Sequence, residues 1–143
     1  CWPMTEQKQW VLDTNVLISR LLAPHGTAAQ AVDRALAGGV LLLSEATLSE
    51  LVEVLYRPKF DPYLGNEDRR RFISLLSGVS RLITIAHPVR ACRDPKDDKF
   101  LDVALNGNAN AILTGDADLL VLHPFHDINI MTPAQFLAEP IKA

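Results

Sequence analysis

Two short apolar runs in this chain end at an aspartate, and this pattern restricts the fold more than any other feature. Residues 9–12 end at Asp13, and residues 111–114 are followed by Gly115 and Asp116. A short apolar run bounded by polar residues is typical of a strand buried on both faces. Such strands occur in parallel sheets, where the active crevice lies at the carboxyl ends of the strands. We therefore expect both aspartates at one edge of a parallel sheet.

Strand-like and helix-like segments alternate along the chain. Strands are predicted at residues 9–12, 40–43, 82–85, 111–114 and 128–131. Helices are predicted at 15–22, 27–36, 44 to before Pro58, from 66, at 97–106, and after Thr132. Thr27 and Asn66 are predicted N-caps, because their side-chain oxygens can accept a backbone N–H. The alternation predicts an α/β fold of three layers, with a central, mostly parallel sheet covered on both faces by helices.

Four acidic residues lie in apolar settings that ordinarily exclude charge. Asp13 and Asp116 follow strands, Glu50 lies on a largely apolar helix, and Asp97 begins a helix with an apolar face. Like charges gathered at a sheet edge must be paired or bind metal. Ligation by oxygen alone suits Mg²⁺ or Mn²⁺, which support phosphodiester cleavage. Singly, each acid could be a helix cap, a macrodipole partner or an exposed residue; the combined spacing favours a metal site.

The composition fits one domain in the cytoplasm. The chain has 143 residues, of which 48% are hydrophobic, and its longest apolar runs are too short to span a bilayer. We expect no secretion signal and no disulfide between Cys1 and Cys92, which suits a reducing compartment. The net charge is −3, but basic residues exceed acidic ones between residues 57 and 99. This basic middle segment is predicted either to hold a phosphate backbone or to be a solvated helix surface.

Four segments, in order along the chain, resemble the successive motifs of PIN domains. They are V-L-D-T-N at 11–15, S-E-A-T-L-S-E-L at 44–51, R-D-P-K-D-D-K-F-L at 93–101 and I-L-T-G-D-A-D-L-L at 112–120. They most resemble the branch of toxin components of bacterial toxin–antitoxin systems. The resemblance implies a PIN-like α/β/α fold, with the PIN domain at 9–138 between tails at 1–8 and 139–143. It also implies a Mg²⁺- or Mn²⁺-dependent endoribonuclease acting on single-stranded RNA, with a small antitoxin as partner and, as in many relatives, a homodimer.

The resemblance also assigns roles to individual acids. Asp13, Glu50, Asp97 and Asp116 match the catalytic acids of the family. Asp118 matches a further acid that assists metal binding, so Asp13, Asp97, Asp116 and Asp118 are the predicted metal ligands. Glu50 is expected to complete the shell directly or through water, while the basic middle segment holds neighbouring phosphates.

Other residues are implied in supporting or alternative roles. Asn15 and Thr114 match polar positions that orient the acids or a bound water. Asp98 is the alternative to Asp97, although the D-P-x-D spacing favours Asp97. Glu53, one turn after Glu50, is a less favoured helix ligand. The four histidines lie near prolines or turns and are interpreted as structural.

Two other functions compete with a nuclease. Phosphatases of the haloacid dehalogenase type also place a nucleophilic aspartate after the first strand. They need a second aspartate two residues later, where this chain has Asn15. The other alternative is a PIN-fold module that binds RNA or protein with weak or absent catalysis. The intact acids argue against it, because a pure binder has no reason to gather repelling charges.

Overall fold

Five parallel strands form the centre of the fold in a computed structural model that describes residues 7–139. The strands are β1 (Lys8–Leu12), β2 (Gly39–Leu43), β3 (Ser80–Leu82), β4 (Ala111–Leu113) and β5 (Asn129–Met131). The helices are α1 (Thr14–Leu22), α2 (Thr27–Gly38), α3 (Glu45–Leu55), α4 (Asn66–Gly78), α5 (Asp98–Asn106), α6 (Ala117–Leu120) and α7 (Pro133–Ala138). Most of the two predicted tails, with Cys1, lies outside the described residues.

The sheet has the order β3-β2-β1-β4-β5, and every neighbouring pair is parallel. β1 therefore lies in the middle, with β2 on one side and β4 on the other. In register, Val11 pairs with Ile112 and Leu12 with Leu113. The carboxyl ends of β1 and β4 therefore lie side by side. The prediction of an α/β fold with a mostly parallel sheet is confirmed.

Alternate residues of the strands enter two separate apolar cores, one on each face of the sheet. Leu12, Leu41, Leu43 and Leu113 pack with α1, α2, α3, α4 and α7. Val11, Leu42, Ile112 and Ile130 pack with α5 and α6 on the other face. The period of two in a strand explains this division, and the helix layers follow from the need to bury both faces.

The predicted third strand is misplaced by two to three residues. The structure has β3 at Ser80–Leu82, not at 82–85, and it pairs with residues 41–43 of β2. After Leu82 the chain leaves the sheet, and Ile83 and Ile85 pack against the α5 core. Apolar character alone does not distinguish a strand at the sheet edge from an adjoining loop that covers a core.

Two helix starts also differ from the predicted capping residues. Thr27 is the first residue of α2, and Gly26 is its N-cap. Asn66 is likewise the first residue of α4, after the N-cap Gly65. The N–H of Gly65 donates to the carboxylate of Asp68 over 3.2 Å, so the side chain that serves this helix end is Asp68.

Across residues 7–139, none of the helices is both long and apolar enough to cross a lipid bilayer.

Gly39 permits the close approach of β1 and β2, and its substitution is a test of the sheet. A Cβ atom at this position would lie 2.2 Å from the carbonyl oxygen of Lys8 and 2.7 Å from Trp10 Nε1. We expect Gly39→Ala to lower the free energy of unfolding by at least about 2 kcal/mol. Gly38→Ala is the matched control, since a Cβ there meets nothing within 4 Å and favours the helix. Equal urea midpoints for the two variants would contradict the described register.

Candidate active site

Asp13 lies at the carboxyl end of β1, where the chain leaves the sheet and enters α1. It is 6% exposed, and its Oδ2 atom accepts a 2.7 Å hydrogen bond from the hydroxyl of Thr114. The Thr114 hydroxyl oxygen in turn accepts a 3.0 Å bond from the backbone N–H of Asp116. One buried hydroxyl therefore joins the ends of β1 and β4. This geometry fits the orienting role predicted for Thr114.

The surroundings of Asp13 disfavour its ionised form. Burial raises the pKa of its carboxyl above the usual range. The hydrogen bonds from Thr114 and from the backbone of Asn15 oppose this change, whereas repulsion from Asp116 and Glu50 adds to it. A cation bound nearby would reverse the balance, because it compensates both the lost solvation and the repulsion.

Asp97, Asp116 and Asp118 bring their carboxylates together beside this position. One oxygen of each lies within 4.8 Å of the others. Asp116 is the N-cap of α6 and accepts a 2.9 Å hydrogen bond from the N–H of Asp118, which fixes the two acids relative to each other. Asp97 ends the 3₁₀ helix Pro95–Asp97 and is the N-cap of α5. Two helix starts thus present three carboxylates to one point.

The chemistry of this donor set fits a divalent cation. Burial, then repulsion from Asp116 and a hydrogen bond that the protonated Asp97 carboxyl donates to Asp116, raise the pKa of Asp97 to about 7. Within residues 7–139, no Lys or Arg forms a salt bridge with Asp13, Asp97, Asp116 or Asp118. Carboxylate oxygens without a cationic partner are the ligands that Mg²⁺ and Mn²⁺ take in proteins.

Glu50 lies near these acids, but its carboxylate has a hydroxyl group and a cation as partners. It sits in the second turn of α3, whose start is fixed by reciprocal hydrogen bonds between Ser44 and Thr47. Its Oε2 atom accepts a 2.6 Å hydrogen bond from the Thr14 hydroxyl. Its Oε1 atom lies 2.8 Å from the ammonium nitrogen of Lys99. Both oxygens therefore have partners within the protein.

Comparison with known sequences identifies the family. The sequence profile described as the PIN domain matches residues 9–118. The chain belongs to the PIN-domain family. The uncharacterized protein MJ1680 of Methanocaldococcus jannaschii is 34% identical over 139 residues, covering 90% of this chain and 89% of that protein. The resemblance found in the sequence motifs is confirmed.

Two solved structures, one of them a toxin, have the same fold. FitAcB from Neisseria gonorrhoeae matches with a TM-score of 0.58 and 20% identity, over 87% of this chain and 98% of that chain. VapC20 of Mycobacterium tuberculosis, a Sarcin-Ricin loop cleaving toxin, matches with a TM-score of 0.52 and 16% identity, over 84% of this chain and 98% of that chain. At these identities the matches establish the fold of this PIN domain.

Asp98, the alternative to Asp97, supports the loop that precedes α5. Its Oδ1 atom accepts backbone hydrogen bonds of 2.8 Å from Cys92 and 3.0 Å from Ala91. Partial burial raises the pKa of Asp98, but these hydrogen bonds lower it more, so that the net change is downward. One turn further along α5, Asp102 accepts the N–H of Val89. This face of the helix therefore holds the loop by its backbone.

Removal of the Asp98 carboxylate is expected to affect stability more than metal binding. Asp98→Ala leaves two backbone N–H groups without their charged acceptor, which costs about 1–3 kcal/mol. Thermal unfolding and Mn²⁺ titration of Asp98→Ala beside Asp97→Ala separate the two acids. We expect Asp98→Ala to be less stable and still to bind Mn²⁺, and Asp97→Ala to lose Mn²⁺. The reverse pattern would assign the metal to Asp98.

Asn15 and Glu53, the other two predicted residues, make no side-chain hydrogen bond to the clustered aspartates within residues 7–139. Asn15 is exposed in the first turn of α1, and its backbone is near Asp13. Glu53 forms an i,i+4 ion pair with Arg57 at 3.1 Å, and its side chain is 63% exposed. Glu53 is therefore engaged on the solvent side of α3, whereas Glu50 faces α1 and α5.

Two residues in contact with Glu50 were not singled out from the sequence. Thr14 follows Asp13 directly, and Lys99 lies inside the R-D-P-K-D-D-K-F-L segment. The signal that could have found Lys99 is a cation within a motif otherwise rich in acids. Its partner on another helix could not be read from local spacing.

Part of the basic middle segment is used in structural ion pairs. Arg69 is 3% exposed, donates to the carbonyl oxygen of Leu55, and lies 3.0 Å from Asp61. Arg70 pairs with Glu67 over 3.0 Å on the surface of α4. Other cations of this segment, Arg90, Arg93 and Lys96, are exposed in the loop before α5 and in the 3₁₀ helix that ends at Asp97.

Proposed function

We infer that this PIN domain is a divalent-metal-dependent endoribonuclease and the toxin of a toxin–antitoxin pair. The observation that carries the inference is the convergence of Asp97, Asp116 and Asp118 beside the buried Asp13. Membership of a nuclease family supports hydrolysis of a phosphodiester bond. A bound Mg²⁺ or Mn²⁺ would activate water and stabilise charge on the phosphate.

The residues of the chain supply position and charge for this reaction. Asp97, Asp116 and Asp118 would hold the metal, with Asp13 as a further ligand fixed by Thr114. The start of α6 fixes Asp116 to Asp118, so little rearrangement is needed on binding. Arg90, Arg93 and Lys96 are exposed in the segment that leads to Asp97, and in this proposal they would hold neighbouring phosphates without reading base sequence.

Single-stranded RNA as the substrate and an antitoxin as the partner are the finer parts of the proposal. The match to VapC20, a Sarcin-Ricin loop cleaving toxin, and to FitAcB supports them at the level of the shared fold. A homodimer and a cytoplasmic location remain predictions from the sequence. A phosphatase with an aspartyl nucleophile is disfavoured, since the chain belongs to the PIN-domain family.

The proposal is tested with purified protein and a fluorescent single-stranded RNA of mixed sequence. Parallel reactions contain Mn²⁺, Mg²⁺ or EDTA, and a single-stranded DNA of the same sequence serves as the control substrate. We expect RNA fragments only with metal, and little cleavage of the DNA. RNA that binds equally well in EDTA and is not cleaved under any condition would instead favour a binding module.

A further inference from the structure

The contacts of Glu50 disfavour a role for this carboxylate as a metal ligand. The Thr14 hydroxyl lies 2.6 Å from Oε2, and the Lys99 ammonium lies 2.8 Å from Oε1. A cation bound at Glu50 would share the carboxylate with a positive charge and be repelled by it. Asp97, Asp116 and Asp118 have no such neighbour in a salt bridge within residues 7–139. Glu50 is therefore set apart from the other acids by its charge partner.

Lys99 is held at the edge of the acidic site. It lies in the first turn of α5, two residues after Asp97, and reaches across to Glu50 on α3. Glu50 in turn is close enough to Asp13 to raise the pKa of that carboxyl. The ammonium thus lies between α3 and α5, next to an acid that is close to the carboxyl end of β1.

The Lys99 ammonium has more N–H donors than its contact with Glu50 uses. A lysine ammonium carries three N–H groups, and Glu50 is the acceptor recorded for it among residues 7–139. The Lys99 side chain is 23% exposed and that of Glu50 is 25% exposed, so the pair is accessible from solvent. A polyanion approaching five acids meets repulsion, and a fixed positive charge beside them reduces it.

We propose that Lys99 binds a phosphate of the RNA substrate next to the scissile one, and that Glu50 and Thr14 position its ammonium. The inference rests on the proposed nuclease function and refines the role of Glu50. In this arrangement Glu50 acts through Lys99 and does not ligate the metal. A compact ammonium recognises a phosphate as a point charge, without reading the base.

The test compares RNA binding, salt dependence and Mn²⁺ binding in matched variants. Lys99→Met and Lys59→Met remove the same charge, but Lys59 lies beyond the far end of α3, away from the site. With Mn²⁺ present and an RNA whose phosphorothioate linkages resist cleavage, we expect Lys99→Met to weaken RNA binding by about 10- to 100-fold, and Lys59→Met by less than about threefold. The slope of log K against log salt should fall by about 0.7 in Lys99→Met alone.

Further variants separate positioning from folding. Lys99→Arg should recover most of the binding that Lys99→Met loses, which a purely structural defect would not predict. Glu50→Gln should weaken RNA binding and keep Mn²⁺ affinity within about threefold, whereas Asp116→Asn should lose Mn²⁺. The double variant Glu50→Gln/Lys99→Met should bind RNA no more weakly than Lys99→Met, because both changes remove one interaction.

Several results would overturn the proposal. Loss of Mn²⁺ binding in Glu50→Gln, equal to that in Asp116→Asn, would make Glu50 a metal ligand. Equal RNA binding by Lys99→Met and Lys59→Met would show that Lys99 contributes only through net charge and does not bind a particular phosphate. If the wild-type protein cleaves no RNA, the proposed function fails. The RNA-binding measurements still decide the role of Lys99, and equal RNA binding by the wild type and the Lys99 variants would exclude that role.

Discussion

Asp13→Asn is expected to lower the rate of RNA cleavage at least about 100-fold while leaving the fold intact. Asn has nearly the same shape as Asp and can still accept the hydrogen bond from Thr114. It removes the negative charge that a metal ion in the cluster would need. Since the charge is buried and disfavoured in the metal-free protein, the variant should be at least as stable as the wild type.

The matched control for Asp13→Asn is Asp33→Asn. This substitution makes the same change in charge, but Asp33 lies on the surface, 3.2 Å from Arg20 and with 57% of its side chain exposed. Cleavage rates, circular dichroism and thermal unfolding of both variants form one experiment. Cleavage by Asp13→Asn at the rate of Asp33→Asn would remove Asp13 from the catalytic site.

Metal binding is expected to weaken steeply in acid, because protons and metal compete for the same carboxylates. Repulsion from Asp116, added to burial, holds the pKa of Asp97 at about 7. Below that pH a proton must leave before the ion can bind. The affinity for Mn²⁺ should therefore fall about tenfold per pH unit below the pKa. Calorimetric titration from pH 8 to pH 5.5 measures this slope.

The same shift makes the metal-free protein more stable in mild acid. In the unfolded chain Asp97 titrates near 3.8, and in the folded protein near 7, so the folded state binds the extra proton between these values. The stabilisation is complete below the unfolded pKa and is lost as pH rises towards about 7. Asp97→Asn should flatten this dependence and stabilise the metal-free protein by about 0.5–2 kcal/mol near pH 8. The free energy of unfolding of both metal-free proteins is measured from pH 5 to pH 8. If it changes by the same amount in the wild type and in Asp97→Asn, the position of Asp97 beside Asp116 is contradicted.

The sheet and the placement of Asp13 and Asp116 could be predicted because both depend on short-range pattern. Apolar runs such as 9–12 and 111–114 are typical of strands buried on both faces, and their alternation with helices indicates a parallel sheet between two helix layers. Because each aspartate follows the carboxyl end of its strand, its position at one edge of the sheet could be predicted. Asp97 could be singled out only together with the other acids, since a helix-start acid is common without any ligand. The metal-binding role of Asp118 came from the likeness to PIN domains.

The contacts of Glu50 and Asp98 could not be predicted, because they depend on tertiary packing. Lys99 meets Glu50 only after α3 and α5 pack side by side, although the two residues are 49 positions apart. Asp98 and Asp97 have the same chemistry and adjacent positions. Their difference arises because Asp98 accepts the N–H groups of Ala91 and Cys92, which belong to an irregular loop. The end of β3 was misplaced for the same reason, since its pairing with β2 is decided at the sheet edge.

The central claim is that Asp97, Asp116 and Asp118 bind the divalent ion at which RNA is cleaved. The most direct measurement is Mn²⁺ binding and RNA cleavage on the same samples of wild type and Asp116→Asn, at pH 8 and after removal of metal with EDTA. We expect saturable Mn²⁺ binding and cleavage in the wild type, both lost in Asp116→Asn, and no cleavage in EDTA. Cleavage that persists in EDTA, or an Asp116→Asn protein that binds Mn²⁺ and cleaves RNA as the wild type does, would contradict it.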